Sequence, residues 1–472
     1  MEKKNTWETY SSKQLKELEK INAQYRDFLD NGKTERECID TIVNTIEKSG
    51  YRELESLIKE GAALKTGDKV YSVWMNKSIA MFQIGRKPMT DGMNILGAHI
   101  DSPRLDVKQN PLYEDGGFAY LDTHYYGGVK KYQWVTIPLA IHGVIVKKDG
   151  TCVEINIGEN EDDPVFFVSD LLIHLAQEQL EKKAAKVIEG EALDIIVGNK
   201  PLLIDKKDKK KDEKEAGKEA VKAGVLDILK ETYDIHEEDF VSAELEIVPA
   251  GKAREAGFDR SMTLAYGQDD RVCAYTSMQA MLDSDVTDRT MCCILVDKEE
   301  IGSVGATGMQ SHFFENAVAE VMNLAGEYSE LNVRRCLAHS CMLSSDVSSA
   351  FDPTYASSFD KKNVAYLGSG MVINKFTGAR GKSGSNDANA EYLAHLRHIF
   401  DKAEVNFQTA ELGKVDLGGG GTIAYILALY GMNVIDSGVA VLNMHAPWEA
   451  TSKADIYETK CGYVAFLEKA CL

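Results

Sequence analysis

Met291-Cys-Cys-Ile-Leu-Val-Asp-Lys-Glu-Glu-Ile-Gly-Ser-Val-Gly305 is the stretch around which the rest of the sequence is organised. Its first part, Met291 to Val296, is an unbroken apolar run, which is typical of a strand buried on both faces of a sheet. The run stops at Asp297, the acids Glu299 and Glu300 follow, and two glycines then predict a tight turn. Acids just past the carboxyl end of a buried strand stand where open α/β sheets bind ligands. A solvated loop is the alternative interpretation of the Glu-Glu pair taken alone.

Length and composition predict a folded globular protein of two or three domains. The chain has 472 residues and a net charge of −20, so we expect neither nucleic acid nor an anionic membrane surface as a partner. No apolar run approaches the ~20 residues of a membrane span, and the charged start of the sequence predicts no signal peptide. The nine cysteines lie mostly inside apolar runs, so we interpret them as reduced core residues of a cytoplasmic protein.

Local patterns alternate between helix and strand at both ends of the chain. Apolar stripes and a capping box predict helices over 11–30 and 34–49, and a β-rich segment, 68–84, follows them. The middle of the chain changes to short alternating segments that predict strands, with one helix expected over 168–182. From about residue 252 the alternation of strand and helix resumes.

We therefore predict an α/β fold in which a mixed sheet is sandwiched between helices and the domain is interrupted by a smaller β-rich domain. The α/β domain comprises residues 1–103 and 252–472, and the insert comprises 104–251. Inside the insert, the Lys-rich run at 205–222 carries acids among its lysines. We interpret it as a solvated, mobile loop, because interleaved charges make a poor phosphate-binding patch.

Five polar segments indicate one shared site. They are His99-x-Asp101, Asp269-Asp270, Glu299-Glu300, Asp346 and His445. Four of them follow apolar runs that we predict to be neighbouring strands of one sheet, at 94–98, 291–296, 336–343 and 434–442. Their polar ends would then meet at one edge, where imidazoles and several buried carboxylates require cations because like charges repel. A pair of divalent ions fits, and such a site activates a water and polarises a carbonyl or phosphoryl oxygen.

Each segment alone also has a structural explanation. A histidine after a strand is commonly a core residue, and paired acids before a helix suit its positive N-terminal end. His445, followed by Ala-Pro, is consistent with a simple turn. The two-metal prediction therefore depends on the joint occurrence of the segments, and it leaves zinc, cobalt and manganese open as the ions.

Along nearly its whole length, the sequence resembles the aspartyl-aminopeptidase family of co-catalytic zinc aminopeptidases. The motifs that carry the resemblance are Gly97-Ala-His-Ile-Asp-Ser-Pro-Arg-Leu105, Gly267-Gln-Asp-Asp-Arg271, Asp297-Lys-Glu-Glu-Ile-Gly-Ser303, Ser345-Asp346 and Met444-His445. The resemblance implies a zinc-exopeptidase domain interrupted by a β-rich dimerisation domain. It also implies assembly through dimers into a tetrahedral dodecamer with enclosed active sites, and removal of single residues from peptide amino termini.

The resemblance further implies a metal-ligand role for five residues. Asp269 matches the carboxylate that bridges two zinc ions. His99 and Asp346 match the other ligands of one ion, and Glu300 and His445 match the other ligands of the second.

Two more residues match catalytic roles in the family. Asp101 is implied to orient His99 through the second ring nitrogen of the imidazole. Glu299 is implied to be the general base, which takes a proton from the attacking water and returns it to the leaving amine. Without the resemblance, the residues leave open which of Glu299 and Glu300 is base and which is ligand.

Substrate contacts are matched less specifically. His174 matches a histidine that reaches into a neighbouring subunit's active site and stabilises the oxyanion, and a histidine on a packed helix is the alternative. Lys375 matches a lysine near the pocket for the first side chain, where a cation favours Asp or Glu, and a surface lysine is the alternative. Ser349 and Asp352 stand where eukaryotic members carry histidines, and the added carboxylate disfavours an acidic substrate. The expected first residue is therefore acidic or aliphatic.

The run Gly418-Gly-Gly-Gly-Thr422 has two interpretations. It lacks a Walker lysine, which excludes a nucleotide loop. The glycines either let the backbone approach the substrate or the metal edge, or they permit close packing of a helix on the sheet.

Two other functions compete with the aminopeptidase prediction. One is a related amidohydrolase that deacylates small N-acyl amino acids with similar ligands. The other is a non-catalytic assembly or cargo protein with the same fold, against which the presence of the base candidate and all five ligand candidates argues.

Overall fold

The computed structural model describes residues 5–202, 219–378 and 380–471. The predicted mobile loop therefore lies outside the described residues up to position 218, and its last positions belong to a helix that begins at Ala220. The helices of the described ranges are α1 Ser12–Asn31, α2 Glu35–Glu47, α3 Leu54–Glu60, α4 Gln177–Leu180, α5 Ala184–Val187, α6 Ala220–Tyr233, α7 Gln268–Asp283, α8 Phe313–Leu324, α9 Glu330–Ala338, α10 Ala390–Lys402, α11 Ala424–Ala428 and α12 Lys453–Lys469. None of these helices combines the length and the apolar character that crossing a membrane requires.

The strands fall into three sheets. They are β1 Arg52–Glu53, β2 Lys69–Trp74, β3 Ser78–Gln83, β4 Met93–His99, β5 Arg104–Asp115, β6 Phe118–Tyr126, β7 Leu139–Val146, β8 Cys152–Ile157, β9 Ile195–Gly198, β10 Ala243–Pro249, β11 Arg254–Ala256, β12 Met262–Ala265, β13 Thr290–Val296, β14 Cys341–Ser345, β15 Ser348–Ser349, β16 Met371–Asn374, β17 Phe407–Thr409, β18 Asn433–Gly438, β19 Ala440–Leu442 and β20 Glu449–Ser452.

The chain forms two compact units, of which the first contains the catalytic candidates except His445 and His174. This unit comprises Met1–Ser102, Ala253–Met444 and Trp448–Leu472. Its nine-stranded mixed sheet has the order β1-β2-β3-β13-β4-β14-β18-β16-β17, and a five-stranded sheet has the order β11-β12-β20-β19-β15. The α/β fold class that the sequence predicts is confirmed.

Strand β13 shows why the first unit folds as a sheet between two helical layers. Met291, Cys293 and Leu295 belong to one buried apolar cluster, which α1, α2, α7 and α12 complete. The alternate residues, from Cys292 to Val296, belong to a second cluster, which α3, α8 and α9 complete. Because successive side chains of a strand point to opposite faces, an unbroken apolar run is required where both faces are covered.

The second unit comprises Pro103–Lys252 together with His445–Pro447. Its sheet has six strands in the order β8-β7-β10-β5-β6-β9, and the pairs are antiparallel. The helix expected over 168–182 is wrong, because this stretch contains only the 3-10 turn Ile173–Leu175 and the four-residue α4. Most of its large apolar side chains, such as Leu171, Ile173 and Leu180, are exposed, so no buried apolar face stabilises a longer helix.

Two apolar runs of the first unit differ from their predicted form. The run at 336–343 is not one strand, since α9 continues to Ala338 and β14 begins at Cys341. The run at 434–442 divides into β18 and β19, and β19 belongs to the five-stranded sheet. His445 therefore does not follow a strand of the nine-stranded sheet, contrary to the expectation from the sequence.

Candidate metal centre

Three adjacent parallel strands bring polar residues to one edge of the nine-stranded sheet. β4 ends at His99, β13 ends shortly before Glu299, and β14 ends directly before Asp346. β13 and β14 lie on either side of β4 and run parallel to it, so their carboxyl ends meet. The runs at 94–98 and 291–296 are neighbouring strands as predicted, whereas only the last part of the run at 336–343 belongs to a strand, β14.

His99, Asp269 and Asp346 form a cluster that fits a metal ion. Each offers one ligand atom, and the three atoms lie within 4.8 Å of one another. Nε2 of His99 is 3.3 Å from Oδ1 of Asp269, and both side chains are buried. An imidazole nitrogen with carboxylate oxygens is a donor set that zinc accepts. Asp269 comes from the start of α7, so the cluster joins three distant parts of the chain.

Asp101 connects the histidine with the acidic turn. Nδ1 of His99 lies 2.9 Å from the main-chain carbonyl of Asp101 and 3.3 Å from its carboxylate, which leaves Nε2 for the cluster. The two oxygens of the same carboxylate accept the N–H groups of Glu299 and Glu300, both at 3.1 Å. One buried side chain therefore orients the imidazole and fixes the turn that carries both glutamates.

A carboxylate oxygen of Glu300 lies within 4.8 Å of one of Asp269, and Glu299 lies beside the imidazole of the cluster. Its Oε2 is 3.9 Å from Nε2 of His99, and its side chain is 15% exposed, so water reaches it. Glu299 and Glu300 share the 3-10 turn Glu299–Ile301, which residues with positive φ flank on both sides, Lys298 at 68° and Gly302 at 97°. The turn follows β13 directly, as the order of the motif predicts.

Two side chains that the sequence analysis did not single out hold the main chain of Asp269. Ser102 donates its hydroxyl to the carbonyl oxygen of Asp269 at 2.7 Å. The N–H of Asp269 donates to Oε2 of the buried Glu449 at 3.0 Å. Ser102 lies inside the motif 97–105, and Glu449 lies four residues after His445. This closeness to the motifs is the only indication of their role in the sequence.

Asp270 bonds the main chain of β4 and is not a member of the three-residue cluster. Its Oδ2 accepts the main-chain N–H of His99 at 3.4 Å, and its Oδ1 is buried near the thiol of Cys273. Burial raises the pKa of Asp270 well above its usual value, and the charge of Asp269 adds to the effect. The structure thus separates the two acids of the Asp-Asp pair, which sequence reasoning treated as one segment.

The electrostatics of the cluster favour a bound cation. Burial raises the pKa of Asp346 well above its usual value, and the negative charge of Asp270 raises it further. Burial disfavours the charged form of His99, yet hydrogen bonds to Asp101 and Asp269 raise the pKa of the imidazole well above its usual value. The protein alone therefore needs protons to neutralise these groups, and a divalent ion supplies that positive charge instead.

The other three predicted residues belong to other elements of the chain than the residues of the cluster. His445 belongs to the second unit, has a positive φ of 65° and places Nδ1 at 3.0 Å from the carbonyl of Gly128. His174 is exposed in the turn Ile173–Leu175, so the packed-helix alternative is wrong. Lys375 directly follows β16, is about half exposed, and lies 3.7 Å from Asp387.

Comparisons with known proteins match nearly the whole chain. Residues 28–467 match the family described as Aminopeptidase I zinc metalloprotease (M18). A Clostridium acetobutylicum protein, Probable M18 family aminopeptidase 1, is 64% identical over 466 residues, which is 99% of this chain and 98% of that protein. The crystal structure of an M18-family aminopeptidase from Thermotoga maritima has a TM-score of 0.93 and 44% identity, covering 100% of both chains. The mApe1 dodecamer of Saccharomyces cerevisiae shares the fold, with a TM-score of 0.75 and 19% identity over 94% of this chain and 96% of that chain.

Proposed function

The chain belongs to the M18 family of zinc aminopeptidases, and from this membership we propose that it removes the N-terminal residue of peptides with two metal ions and a glutamate base. The observation that carries the proposal is the cluster of His99, Asp269 and Asp346, whose ligand atoms lie within 4.8 Å of one another. The carboxylate of Glu299 lies 3.9 Å from the same imidazole, where a base for an attacking water is needed.

We propose that Asp269 would contribute a ligand to each of two ions. We propose His99 and Asp346 as the other ligands of the first ion, and Glu300 and His445 as the other ligands of the second. Nδ1 of His445 faces a backbone carbonyl at 3.0 Å, which makes Nδ1 the protonated nitrogen and leaves Nε2 as the ligand atom. When bound by these residues, zinc would supply Lewis-acid chemistry, that is, a water of lower pKa and a polarised scissile carbonyl.

Glu299 moves the proton in the proposed mechanism. Its carboxylate accepts a proton from the attacking water and returns it to the nitrogen of the leaving amine. Asp101 supports both partners of this step, because it bonds the N–H of Glu299 and the ring of His99. The base and the imidazole ligand are therefore held by one rigid group, as efficient proton transfer requires.

Lys375 supports a neutral rather than an acidic first residue. Its Nζ lies 3.7 Å from Oδ1 of Asp387, and Lys382 lies 2.8 Å from the other oxygen of the same carboxylate. The two lysines and the carboxylate together keep one positive charge, but Lys375 and Asp387 are both about half exposed, so water and salt weaken the attraction of that charge for an acidic side chain. We therefore propose that aliphatic first residues are preferred to Asp and Glu.

A panel of chromogenic amides tests this function. We expect leucyl- and methionyl-p-nitroanilide to be cleaved with a kcat/KM about 10-fold above that of the glutamyl and aspartyl amides. N-acetyl amino acids are expected to remain intact, because the enzyme acts on a free amino terminus. Cleavage of the N-acetyl amino acids in place of the aminoacyl amides would favour the amidohydrolase alternative, and zinc binding without any cleavage would favour the non-catalytic one.

The second unit presents an exposed apolar segment that suits contact between copies of the chain. A folded monomer rarely exposes so many large apolar side chains close together in sequence. The exposed residues are Val165, Phe167, Leu171, Leu172, Ile173, Leu175 and Leu180. We propose that this segment mediates dimerisation and that the dimers build a tetrahedral dodecamer, an assembly size that the related yeast mApe1 has.

The cysteines support a cytoplasmic location for the proposed enzyme. All nine lie among the described residues and none forms a disulfide bond there, and six of them are buried. Proteins of oxidising compartments commonly pair their cysteines, whereas cytosolic proteins keep them reduced.

His174 lies within the exposed apolar segment, and we propose that it completes a neighbouring subunit's active site. The substitution His174→Phe is expected to lower kcat about 100-fold in assemblies of unchanged size, because it removes a donor to the oxyanion. Turnover of p-nitroanilides, measured on the assembled fraction from size-exclusion chromatography, checks this expectation. Turnover equal to that of the wild type would contradict it.

Mixed assemblies separate action on a neighbour from action within one chain. His174→Phe and Glu299→Gln are each expected to be nearly inactive alone. When the two variants are co-expressed, a mixed dimer holds one site with an intact Glu299 and the partner's intact His174. Random pairing then restores about a quarter of the wild-type activity, because half of the dimers are mixed and half of their sites are complete. No recovery in mixed assemblies would mean that His174 does not act on a neighbouring subunit.

A further inference from the structure

Two buried side chains hold the main chain of Asp269, one at its N–H and one at its carbonyl. Asp269 lies in the first turn of α7 but has non-helical backbone angles, with φ of −81° and ψ of 106°. An N–H in the first turn of a helix has no acceptor within that helix, so a buried one needs a partner from elsewhere. Oε2 of Glu449 accepts this N–H at 3.0 Å, and the hydroxyl of Ser102 donates to the carbonyl at 2.7 Å. We call these two hydrogen bonds the main-chain clamp.

The five-stranded sheet and Gln268 fix the Glu449 side of the clamp. Glu449 is the first residue of β20 and stands opposite Ala265 of β12. Nε2 of the buried Gln268 donates to the main-chain oxygen of Glu449 at 2.6 Å and to that of Thr263 at 3.2 Å. Because Gln268 directly precedes Asp269, Glu449 holds two successive residues at the start of α7, one through its main chain and one through its side chain.

The Ser102 side of the clamp connects Asp269 to the imidazole of the cluster. Ser102 is buried and directly follows Asp101, whose carbonyl and carboxylate lie 2.9 and 3.3 Å from Nδ1 of His99. Nε2 of the same imidazole lies 3.3 Å from Oδ1 of Asp269. The segment 99–102 therefore meets Asp269 twice, with a ring nitrogen at its side chain and with a hydroxyl at its main chain.

The position of Asp269 matters for both candidate metal groups. Its carboxylate offers a ligand atom within 4.8 Å of those of His99 and Asp346, and also within 4.8 Å of one of Glu300. A metal ligand has to be held within about 0.5 Å of its productive position. Only one methylene group separates an aspartate carboxylate from its main chain, so fixing the main chain also limits the movement of the ligand atoms.

We propose that Ser102 and Glu449 are positioning residues that set the zinc affinity of the site by fixing the main chain of Asp269. The proposal rests on the metal-ligand role proposed for Asp269 and deepens it. Serine is not a usual zinc ligand, and Glu449 belongs to neither candidate metal group of the described residues. Both side chains therefore act on the metal through Asp269 and not by coordination.

Substitutions of Ser102 test the carbonyl side of the clamp. Ser102→Ala is expected to raise the Kd for zinc about 10- to 100-fold, the range typical when a group that holds a metal ligand is removed. Ser102→Thr keeps the hydroxyl and is expected to restore most of the affinity. Competition with a chromogenic chelator measures the Kd, and an unchanged Kd in Ser102→Ala would overturn the proposal.

Ser284→Ala is the matched control at the other end of α7. Ser284 is buried directly after the last residue of this helix, and its hydroxyl donates to the carbonyl of Ala280 at 2.7 Å. Each alanine variant loses one buried hydrogen bond, so both are expected to lower the Tm of the zinc-free protein by a similar amount. Only Ser102→Ala is expected to change the Kd for zinc. A change of Kd in Ser284→Ala as large as in Ser102→Ala would show a general structural effect and overturn the proposal.

Cobalt gives a readout of ligand geometry that does not depend on turnover. Cobalt accepts the same kinds of ligand as zinc, and its visible absorption depends on the arrangement of these ligands. The spectrum of the cobalt-loaded protein is expected to change in Ser102→Ala and to match the wild type in Ser284→Ala. A wild-type spectrum in Ser102→Ala would contradict the positioning role.

Glu449 is tested with one variant that keeps an acceptor and one that does not. Glu449→Gln retains an oxygen for the N–H of Asp269 and is expected to keep a Kd for zinc near that of the wild type. Glu449→Leu removes the acceptor and is expected to raise the Kd about 10- to 100-fold. Equal Kd values in the two variants would overturn the assignment of Glu449. If Glu449→Leu does not fold, the Ser102 variants decide.

The proposed function and the clamp fail in different ways. Zinc-loaded wild-type protein that cleaves no aminoacyl amide would overturn the aminopeptidase function and leave the zinc affinities to decide on the clamp. Normal cleavage by the wild type, with an unchanged Kd for zinc in Ser102→Ala, would overturn the clamp alone.

Discussion

Glu299→Gln is expected to lower kcat by about 10²- to 10⁴-fold while the protein keeps its zinc, because the amide cannot accept a proton from the attacking water. The substitution preserves the size of the side chain and the main-chain N–H that bonds Asp101 at 3.1 Å. Hydrolysis of leucyl-p-nitroanilide gives the turnover, and inductively coupled plasma mass spectrometry gives the zinc content of the same samples.

The neighbouring residue supplies the control for this prediction. Glu300 shares the same turn and the same carboxylate partner, Asp101, but we propose that it binds metal rather than moving a proton. Glu300→Gln is therefore expected to lose zinc as well as turnover, and added zinc restores part of the turnover. Normal turnover in Glu299→Gln would refute the base assignment. If Glu299→Gln lost zinc and Glu300→Gln kept it, Glu299 would be the metal ligand and Glu300 the base.

The central sheet could be predicted because its strands are covered on both faces. Every position of β13 is buried, with successive residues in opposite apolar clusters, so the run contains no polar gap. The same reasoning failed at 336–343, because an apolar run does not distinguish the end of a buried helix from the strand that follows. It also failed at 168–182, where apolar residues remain exposed and no buried face stabilises a helix.

The part of the site that the sequence predicted consists of residues at strand ends. His99, Glu299 and Asp346 each follow an apolar run, which is a local pattern. The residues that hold the main chain of Asp269 could not be found from a local pattern, because its hydrogen bonds to Ser102 and Glu449 join residues 167 and 180 positions apart in the sequence. Only the folded chain shows which distant side chains hold the main chain of the proposed bridging residue.

Asp269→Asn is expected to abolish turnover and to bring the zinc content below one ion per chain. The proposal gives both ions to this carboxylate, and a neutral amide removes the negative charge that balances them. Because ligands that bind only the folded state raise its stability, added zinc should raise the Tm of the wild type after chelation but not that of the variant. Differential scanning fluorimetry with and without zinc measures this difference.

Asp270→Asn is the matched control for Asp269→Asn, since it changes the adjacent acid in the same way. Asp270 accepts the main-chain N–H of His99 through Oδ2, and an asparagine retains an oxygen acceptor for that bond. We therefore expect this variant to bind zinc and to show the zinc-dependent rise in Tm. If Asp269→Asn kept two zinc ions while Asp270→Asn lost them, Asp270 would be the bridging residue. The cluster of Asp269 with His99 and Asp346 would then have to rearrange when metal binds, because Asp270 now faces the main chain of β4.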